Sequence, residues 1–265
     1  MTTVAAVQMI STPDVATNLA SARRLVAEAA ATGATLVTLP EYWPIMGMSD
    51  VDKVGLAEQP DSGPIQDCMA QAAREHAVWL IGGTLPLVSP DPGKVLNTTL
   101  VYDPQGQRVS RYDKIHLFGF NKGAEAYDEA RTIVPGASVM CFDAPFGRVG
   151  LAICYDLRFP ELFRAMGECT LMVVTAAFTH TTGLAHWEVL LRARAIENQC
   201  YVLASAQGGT HPNGRRTFGH SMLIDPWGAV LAVLPEGEGV VSGAIDPAFL
   251  ASVRESLPAL KHRKL

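Results

Sequence analysis

Hydrophobic positions in the first third of the chain form short continuous runs separated by amphipathic segments. Residues 4–9 and 35–39 are apolar runs typical of buried strands, and the Ala-rich segment 18–31 between them has helical composition and stops before Gly33. A helical pattern at 65–76 and a strand pattern at 78–81 follow. This order of strand, helix and strand predicts an α/β fold.

Two polar turns of the same composition interrupt later strand patterns. Asp103-Pro104-Gln105-Gly106 separates runs 97–102 and 108–112, and Asp225-Pro226-Trp227-Gly228 separates runs 221–224 and 229–234. Asp first, Pro second and Gly last are residues that β-turns favour, so each pattern predicts a hairpin. The turns begin 122 positions apart (103 to 225), close to half the chain. This spacing favours two similar α/β halves packed sheet against sheet, although such a turn is common enough to recur by coincidence.

Strand and helix patterns continue through the second half without a low-complexity linker. We predict a helix opening at Pro160, a helix at about 186–198, and strands at 171–175, 200–206 and 240–245. The absence of a linker favours a single domain over residues 1–265. A basic tail at about 258–265 has no core of its own, and it is either a solvated end or an arm that reaches across a partner subunit.

Composition narrows the class of protein. The 265 residues are 48% hydrophobic and 18% charged with a net charge of -5, which supports a buried core and argues against a nucleic-acid partner. Five cysteines, without a C-x-x-C pair, and seven histidines show no metal-ligand spacing, so we expect reduced thiols, no metal and no cofactor. No basic leader precedes the first apolar run, and no run approaches the roughly 20 residues that cross a bilayer. We therefore expect a soluble cytoplasmic protein without a membrane partner.

One cysteine occupies a position suited to chemistry. The apolar run that follows Arg148 ends in Cys154, and Pro160 with Glu161 then opens a helical segment. A thiol where a strand passes into a helix meets outward-pointing N–H groups, and we expect these and any nearby cation to favour the thiolate. The alternative is a small buried apolar side chain, which is what most free cysteines are.

Two further reactive side chains follow predicted strand ends. Glu41 lies in Leu-Pro-Glu-Tyr at 39–42, and Lys114 lies in Tyr-Asp-Lys-Ile-His-Leu-Phe at 112–118. Together with Cys154, and in this order, the motifs resemble those of the nitrilase superfamily of carbon–nitrogen hydrolases, from about residue 4 to the C-terminus. The resemblance implies a four-layer α-β-β-α sandwich with internal pseudo-two-fold halves, and a homodimer or larger homo-oligomer.

The resemblance also implies a role for each residue. Amide cleavage needs a nucleophile, a base that moves its proton, and donors for the charge on the carbonyl oxygen. By resemblance, Cys154 attacks and forms a thioester, Glu41 is the base, and Lys114 with the backbone N–H of Tyr155 holds the oxyanion. Glu129 matches a supporting carboxylate near the lysine. Glu125 competes for that assignment.

Segments 178–188, 191–202, 206–211 and 219–222 resemble the branch that contains deaminated glutathione amidase and omega-amidase. The resemblance implies an amidohydrolase of a small anionic amide, with deaminated glutathione cleaved to 2-oxoglutarate and cysteinylglycine. The alternative substrate is 2-oxoglutaramate. Acyl transfer to an amine uses the same residues, and a remote alternative is a non-catalytic binding protein on this fold.

An oxo-acid substrate implies a carboxylate clamp. The candidate arginines are Arg158, Arg194 and Arg215, because an arginine fork suits planar anions. The other substrate-binding candidates are Phe178, Thr179 and Trp187. One departure affects this region: Gly119 follows the His-Leu-Phe triplet where relatives commonly place an acid, which puts the leaving-group preference in doubt.

Overall fold

The computed structural model of the protein describes residues 1–122 and 125–264, and the side chains of residues 122 and 125 lie outside this description. Its first sheet has seven strands, six from the first half of the chain and one from near the C-terminus. They are β1 (Thr2–Gln8), β2 (Leu36–Thr38), β3 (Trp79–Ile81), β4 (Leu85–Val88), β5 (Val95–Tyr102), β6 (Arg108–Asp113) and β15 (Gly239–Ile245). Their order is β15-β1-β2-β3-β5-β4, and β6 also pairs with β5.

The second sheet has six strands, all from the second half. They are β9 (Cys141–Ala144), β10 (Gly147–Ile153), β11 (Leu171–Ala176), β12 (Tyr201–Ala206), β13 (Ser221–Ile224) and β14 (Val230–Leu234). They follow the order β14-β13-β12-β11-β10-β9. A separate hairpin pairs β7 (Gly119–Lys122) with β8 (Glu125–Asp128).

Helices connect the parallel strands and close the chain. They are α1 (Val15–Ala31), α2 (Pro64–His76), α3 (Pro160–Ala165), α4 (His180–Asn198), α5 (Pro247–Ser256) and α6 (Ala259–His262). Short 3-10 helices span Val54–Leu56, Glu129–Arg131 and Cys154–Arg158. No helix within the described ranges is both long and apolar enough to cross a membrane.

The two halves repeat one arrangement. Parallel β1, β2 and β3 are followed by the antiparallel hairpin β5–β6, as parallel β10, β11 and β12 are followed by β13–β14. The hairpin turns also match, because Asp103 Oδ1 accepts from two backbone N–H groups at 2.9 Å each and Asp225 Oδ1 does so at 2.8 and 2.9 Å. The predicted hairpins and the predicted internal repeat are confirmed.

The sheets pack face to face with helices outside. Along β1, Val4 and Ala6 join the core shared by the two sheets, whereas Ala5 and Val7 join the core beneath α1 and α2. Both faces of β1 are buried, so the strand reads as a continuous apolar run rather than an alternating one. The result is the predicted four-layer α-β-β-α sandwich.

The predicted start of α4 at residue 186 is wrong, because the helix begins at His180. Thr179 caps it: the Thr182 N–H donates to its hydroxyl at 3.4 Å, and the Gly183 N–H donates to its carbonyl at 2.8 Å. Gly and β-branched residues are poor helix formers, so the sequence pattern did not predict this first helical turn. Packing against Phe218 overrides that local preference. Strands β4, β7, β8 and β9 were also not predicted.

Gly183 gives a direct test of this packing. A Cβ there would lie 2.4 Å from both Cβ and Cγ of Phe218, atoms too close to the backbone to move aside. We expect Gly183→Ala to lower the free energy of unfolding by about 1–3 kcal/mol through overpacking, measured by urea titration. Gly55→Ala is the control, because its Cβ meets nothing within 4 Å. Stabilisation by Gly183→Ala would contradict the packing described.

Candidate active site

Three side chains predicted from separate motifs meet between the two sheets. Glu41 follows β2, Lys114 follows β6 and Cys154 follows β10. The Lys114 ammonium lies 2.9 Å from Glu41 Oε1. The charges of both groups shift the pKa of the Cys154 thiol, in opposite directions. The fold therefore places a carboxylate, an ammonium and a thiol side by side in the interior.

Glu41 is buried and held from both sheets. Its Oε1 accepts from Lys114 Nζ and from Asn97 Nδ2, each at 2.9 Å. Its Oε2 accepts from the backbone N–H of Ala177, just beyond β11, at 2.8 Å. These bonds fix the carboxylate in one orientation. Sequence reasoning missed Asn97, because an Asn inside a strand carries no local signal of its partner.

Lys114 is fully buried between two carboxylates. Besides Glu41, its Nζ contacts Glu129 Oε2 at 2.8 Å and Oε1 at 3.0 Å. Burial opposes the charged form, but the charges of Glu129 and Glu41 outweigh it and raise the pKa of Lys114 above its usual value. The lysine is therefore a fixed positive charge at neutral pH.

Glu129 completes this arrangement from the 3-10 helix that follows β8. Its carboxylate also accepts from the Phe118 N–H at 2.7 Å and the Tyr42 hydroxyl at 2.8 Å. Burial opposes ionisation, yet the Lys114 charge and these hydrogen bonds lower the pKa of Glu129. Glu129 thus holds Lys114 charged and oriented, while the side chain of the competing Glu125 lies outside the described residues.

The backbone turns sharply at Cys154, which has a left-handed φ of 48°. Such a conformation costs a non-glycine residue on the order of 1 kcal/mol or more and is typical of functional turns. Buried Asp156 stabilises the turn, because its carboxylate accepts from the Ile153 N–H at 2.9 Å and the Tyr112 hydroxyl at 2.7 Å. It also accepts from the His116 N–H at 3.1 Å.

Asp156 therefore ties the nucleophile turn to the segment that carries Lys114. The sequence motifs alone assign Asp156 no role. An acidic residue two positions after a predicted nucleophile was the available signal, since short polar side chains commonly bond to nearby backbone in turns.

The expected thiolate at Cys154 is wrong for the free protein. Burial is the main cause that raises the pKa of the Cys154 thiol, and the negative charge of Glu41 adds to it, whereas Lys114 opposes them. The thiol is therefore protonated at neutral pH and requires a base. Glu41 stands next to it.

Cys154 borders a small cavity of about 10 Å³. Its wall includes Phe118, Glu129, Tyr155, Phe178, Thr179, Thr182 and Arg215. Two neighbouring cavities continue from it, one through Phe118, Glu129 and Arg215, and the next through Tyr42, Lys53, Tyr127 and Arg215. We call the latter space the outer groove, defined by Tyr42, Asp50, Lys53, Tyr127, Asn213 and Arg215.

Three of the six predicted substrate-binding residues line this cavity. Phe178 and Thr179 form part of its wall, and Arg215 stands where it meets the outer groove. The Arg158 guanidinium lies over the rings of Phe178 and Tyr155, at 5.2 and 5.7 Å from their centroids. Arg215 can therefore present positive charge to a ligand in the cavity, whereas Arg158 is not among the residues that line it and contacts His186 Nδ1 at 3.2 Å.

Trp187 and Arg194 are corrections. Trp187 is fully buried behind Phe178, with ring centroids 5.0 Å apart, and its Nε1 donates to the His220 carbonyl. Arg194 donates to the Leu157 carbonyl at 2.9 and 3.1 Å and to Glu197 at 2.6 Å. Both stabilise the scaffold, because helix α4 turns these positions inward rather than toward the cavity.

The loop that presents Arg215 is anchored by buried His211. Its Nδ1 lies 2.9 Å from the Ser11 carbonyl and its Nε2 lies 2.9 Å from the Thr217 hydroxyl, so Nδ1 carries the proton and Nε2 accepts. Its backbone N–H donates to the Arg215 carbonyl at 2.8 Å. Burial lowers the pKa of His211 to about 4.

Within the described ranges, no group of three or more His, Cys, Asp or Glu side chains is placed to hold a metal ion.

The fold and this site define a hydrolase with a cysteine beside a glutamate and a lysine. The family model for carbon-nitrogen hydrolase matches residues 3–255, and the chain belongs to this family. It is an enzyme that hydrolyses carbon–nitrogen bonds other than peptide bonds.

Relatives of known name are similar over nearly the whole chain. The deaminated glutathione amidase of Synechocystis is 41% identical over 264 residues, which cover 98% of this chain and 97% of that protein. The human deaminated glutathione amidase is 40% identical over 268 residues, which cover 98% of this chain and 82% of that protein.

Solved structures share the architecture. The C. elegans NitFhit protein superposes with a TM-score of 0.92 at 38% identity, over 99% of this chain and 65% of that one. Saccharomyces cerevisiae Nit3, described as a member of branch 10 of the nitrilase superfamily, gives a TM-score of 0.88 at 29% identity, over 100% and 97%. The predicted superfamily is confirmed.

The His211 contacts generate a prediction on acid stability. Its pKa is lower in the folded chain than its ordinary 6.5, so protonation below that value favours unfolding. We expect this group to contribute stability above pH 6.5 that is lost as the pH falls toward 4, up to roughly 3 kcal/mol in total. Urea titrations between pH 4 and 7 should show a shallower pH dependence in His211→Asn. Parallel curves for the two proteins would contradict the assignment.

Proposed function

We propose that the enzyme hydrolyses a linear amide of a small anionic substrate through a thioester on Cys154, and that this substrate is deaminated glutathione. The products would be 2-oxoglutarate and cysteinylglycine. The observation that carries the proposal is the charged group Glu41, Lys114 and Glu129 packed against a protonated, cavity-facing thiol. Such a group supplies a base and a fixed cation where an amide can be attacked.

Acylation begins with the amide carbonyl carbon above the Cys154 sulfur. Glu41 accepts the thiol proton as the sulfur–carbon bond forms, and the carbonyl electron pair moves onto oxygen. Lys114 Nζ and the Tyr155 N–H stabilise that oxyanion. The Tyr155 N–H is in the first turn of the 3-10 helix, where backbone donors have no intrahelical acceptor. Glu41 then gives its proton to the amide nitrogen, the carbon–nitrogen bond breaks, and the amine leaves.

Deacylation repeats these roles with water. Glu41 accepts a proton from water as its oxygen attacks the thioester carbon, and the same donors hold the second oxyanion. Collapse breaks the carbon–sulfur bond and releases the acid, and the sulfur regains its proton from Glu41. Because Glu129 keeps Lys114 charged throughout, Glu41 can gain and lose a proton in each half-reaction without loss of the oxyanion donor.

The substrate assignment draws on the relatives and on the cavity. Several relatives at about 40% identity carry the name deaminated glutathione amidase. In this proposal the oxo-acid half lies against Phe178, Thr179 and Thr182, which line the cavity beside Cys154, and Arg215 on the same wall is the candidate for its carboxylate. Omega-amidase activity on 2-oxoglutaramate would use the same acyl site. Its leaving group, ammonia, would make no use of the outer groove.

We also propose that the protein is a cytoplasmic homodimer or larger homo-oligomer. All five cysteines are free thiols, as expected in a reducing compartment. Leu184 and Val189 on α4 are 72% and 68% exposed, which suits an apolar contact with a second copy. Sedimentation of the purified protein measures the assembly, and a monomer at micromolar concentration would oppose this part of the proposal.

The nucleophile assignment is tested by release of 2-oxoglutarate from deaminated glutathione. We expect Cys154→Ala to lower kcat by at least about a thousandfold, because no other side chain can form the acyl bond. Lys114→Met should cost roughly a hundred- to thousandfold through loss of an oxyanion donor. Cys68→Ala, on α2, is the matched control and should retain the wild-type rate.

Mass spectrometry after mixing with substrate gives a second readout. Acid quenching during turnover should trap a 2-oxoglutaryl adduct on the peptide that contains Cys154 in the wild type, and Glu41→Gln, which lacks the base for acylation, should form less of it. Free 2-oxoglutarate rather than an acylated amine would distinguish hydrolysis from acyl transfer. Full activity of Cys154→Ala would refute the mechanism, and absence of any adduct or turnover in the wild type would favour a binding protein.

A further inference from the structure

The positive charges in the outer groove, unlike the charge of Lys114, are not paired with carboxylates. Lys114 lies within 3.0 Å of two carboxylates. Among the described residues, neither Lys53 nor Arg215 forms an ion pair with a carboxylate within 4.0 Å. Two cations without an anionic partner therefore border the route away from Cys154. Burying part of a cation without a partner is costly, so such an arrangement favours an anionic ligand.

Arg215 retains an unused donor. Its Nη2 donates to the Ala177 carbonyl at 3.1 Å, and its Nη1 contacts the Met46 sulfur at 3.9 Å, which is a weak acceptor. Its Nε is buried and has no hydrogen-bond partner. An unsatisfied buried donor costs about 1–3 kcal/mol, and a ligand acceptor at this junction would remove that cost.

Lys53 stands farther out along the same path. Its Nζ lies 5.6 Å from the centroid of the Tyr42 ring, and the Tyr42 hydroxyl donates to Glu129 at 2.8 Å. One aromatic ring thus separates Lys53 from the carboxylate that holds Lys114. Burial lowers the pKa of Lys53, partly offset by the charge of Asp50 at the rim.

We propose that the outer groove binds the departing dipeptide and that Lys53 is the residue that binds its terminal carboxylate. The inference rests on the proposed function and assigns its leaving-group side. A dipeptide extends roughly 7 Å from the scissile nitrogen to its carboxylate, so the carboxylate lies well beyond the reacting atoms. Lys53 then forms an ion pair with the carboxylate of a peptide leaving group. Ammonia, which has no carboxylate, cannot form this ion pair.

The assignment predicts selectivity within one acyl series. Deaminated glutathione carries a carboxylate at each end, whereas its glycinamide analogue lacks the distal charge and 2-oxoglutaramate lacks the whole dipeptide. Only the first substrate can use Lys53. Since the contact is remote from the reacting atoms and equally present in ground and transition states, its loss should appear in KM rather than in kcat.

Steady-state kinetics on these three amides test the proposal. We expect Lys53→Met to raise KM for deaminated glutathione on the order of tenfold, a size typical of a lost charged hydrogen bond, with kcat unchanged. The same variant should leave KM for the glycinamide analogue and for 2-oxoglutaramate at wild-type values. Lys53→Arg should retain most of the affinity, and Lys261→Met, on the C-terminal helix, is the charge-loss control.

Two outcomes would overturn the proposal. One is a wild type that binds the acid and the glycinamide equally well. The other is a Lys53→Met variant that loses as much on 2-oxoglutaramate as on deaminated glutathione, which would show a general structural effect. If the wild type hydrolyses none of the three amides, the proposed function is overturned instead. The two failures are therefore distinguishable.

Discussion

The structure depends on a fully buried lysine held between two carboxylates. An isolated ammonium in a protein interior is prohibitively costly, and its partners must surround it closely. Lys114 meets this condition with Glu41 at 2.9 Å and Glu129 at 2.8 Å. Each partner is in turn held by backbone N–H groups, of Ala177 and Phe118 respectively. Because these groups come from distant parts of the chain, correct packing of both sheets is a precondition for the ion group.

The same charges set the state of the nucleophile. A thiol deep in the protein and next to a carboxylate keeps its proton, so Cys154 is not a preformed thiolate. Attack on a substrate must then be coupled to proton transfer to Glu41, and Lys114 balances the negative charge as it moves from carboxylate to oxyanion. The free enzyme thus avoids a permanently reactive sulfur, and the left-handed backbone at Cys154 holds that sulfur at the cavity.

Local patterns predicted what depends on local chemistry. Continuous apolar runs indicated buried strands, the two Asp-Pro-x-Gly turns indicated the repeated hairpins, and three motifs indicated the residues that meet between the sheets. The features that the sequence did not predict depend on tertiary contacts. Asn97 and Asp156 act through partners far along the chain, and Arg194 points inward only because of how α4 packs. The first turn of α4 forms against its own weak propensity for the same reason.

The most direct test of this account is the ionisation of the Cys154 thiol. Thiolate absorbance can be followed against pH in the wild type and in Cys154→Ser, and the difference between them reports this one group. The account predicts a midpoint above the roughly 8.5 of an ordinary cysteine, and a lower midpoint in Glu41→Gln, where the neighbouring negative charge is gone and Lys114 remains. A thiolate already formed at neutral pH, or a midpoint unchanged by Glu41→Gln, would contradict it.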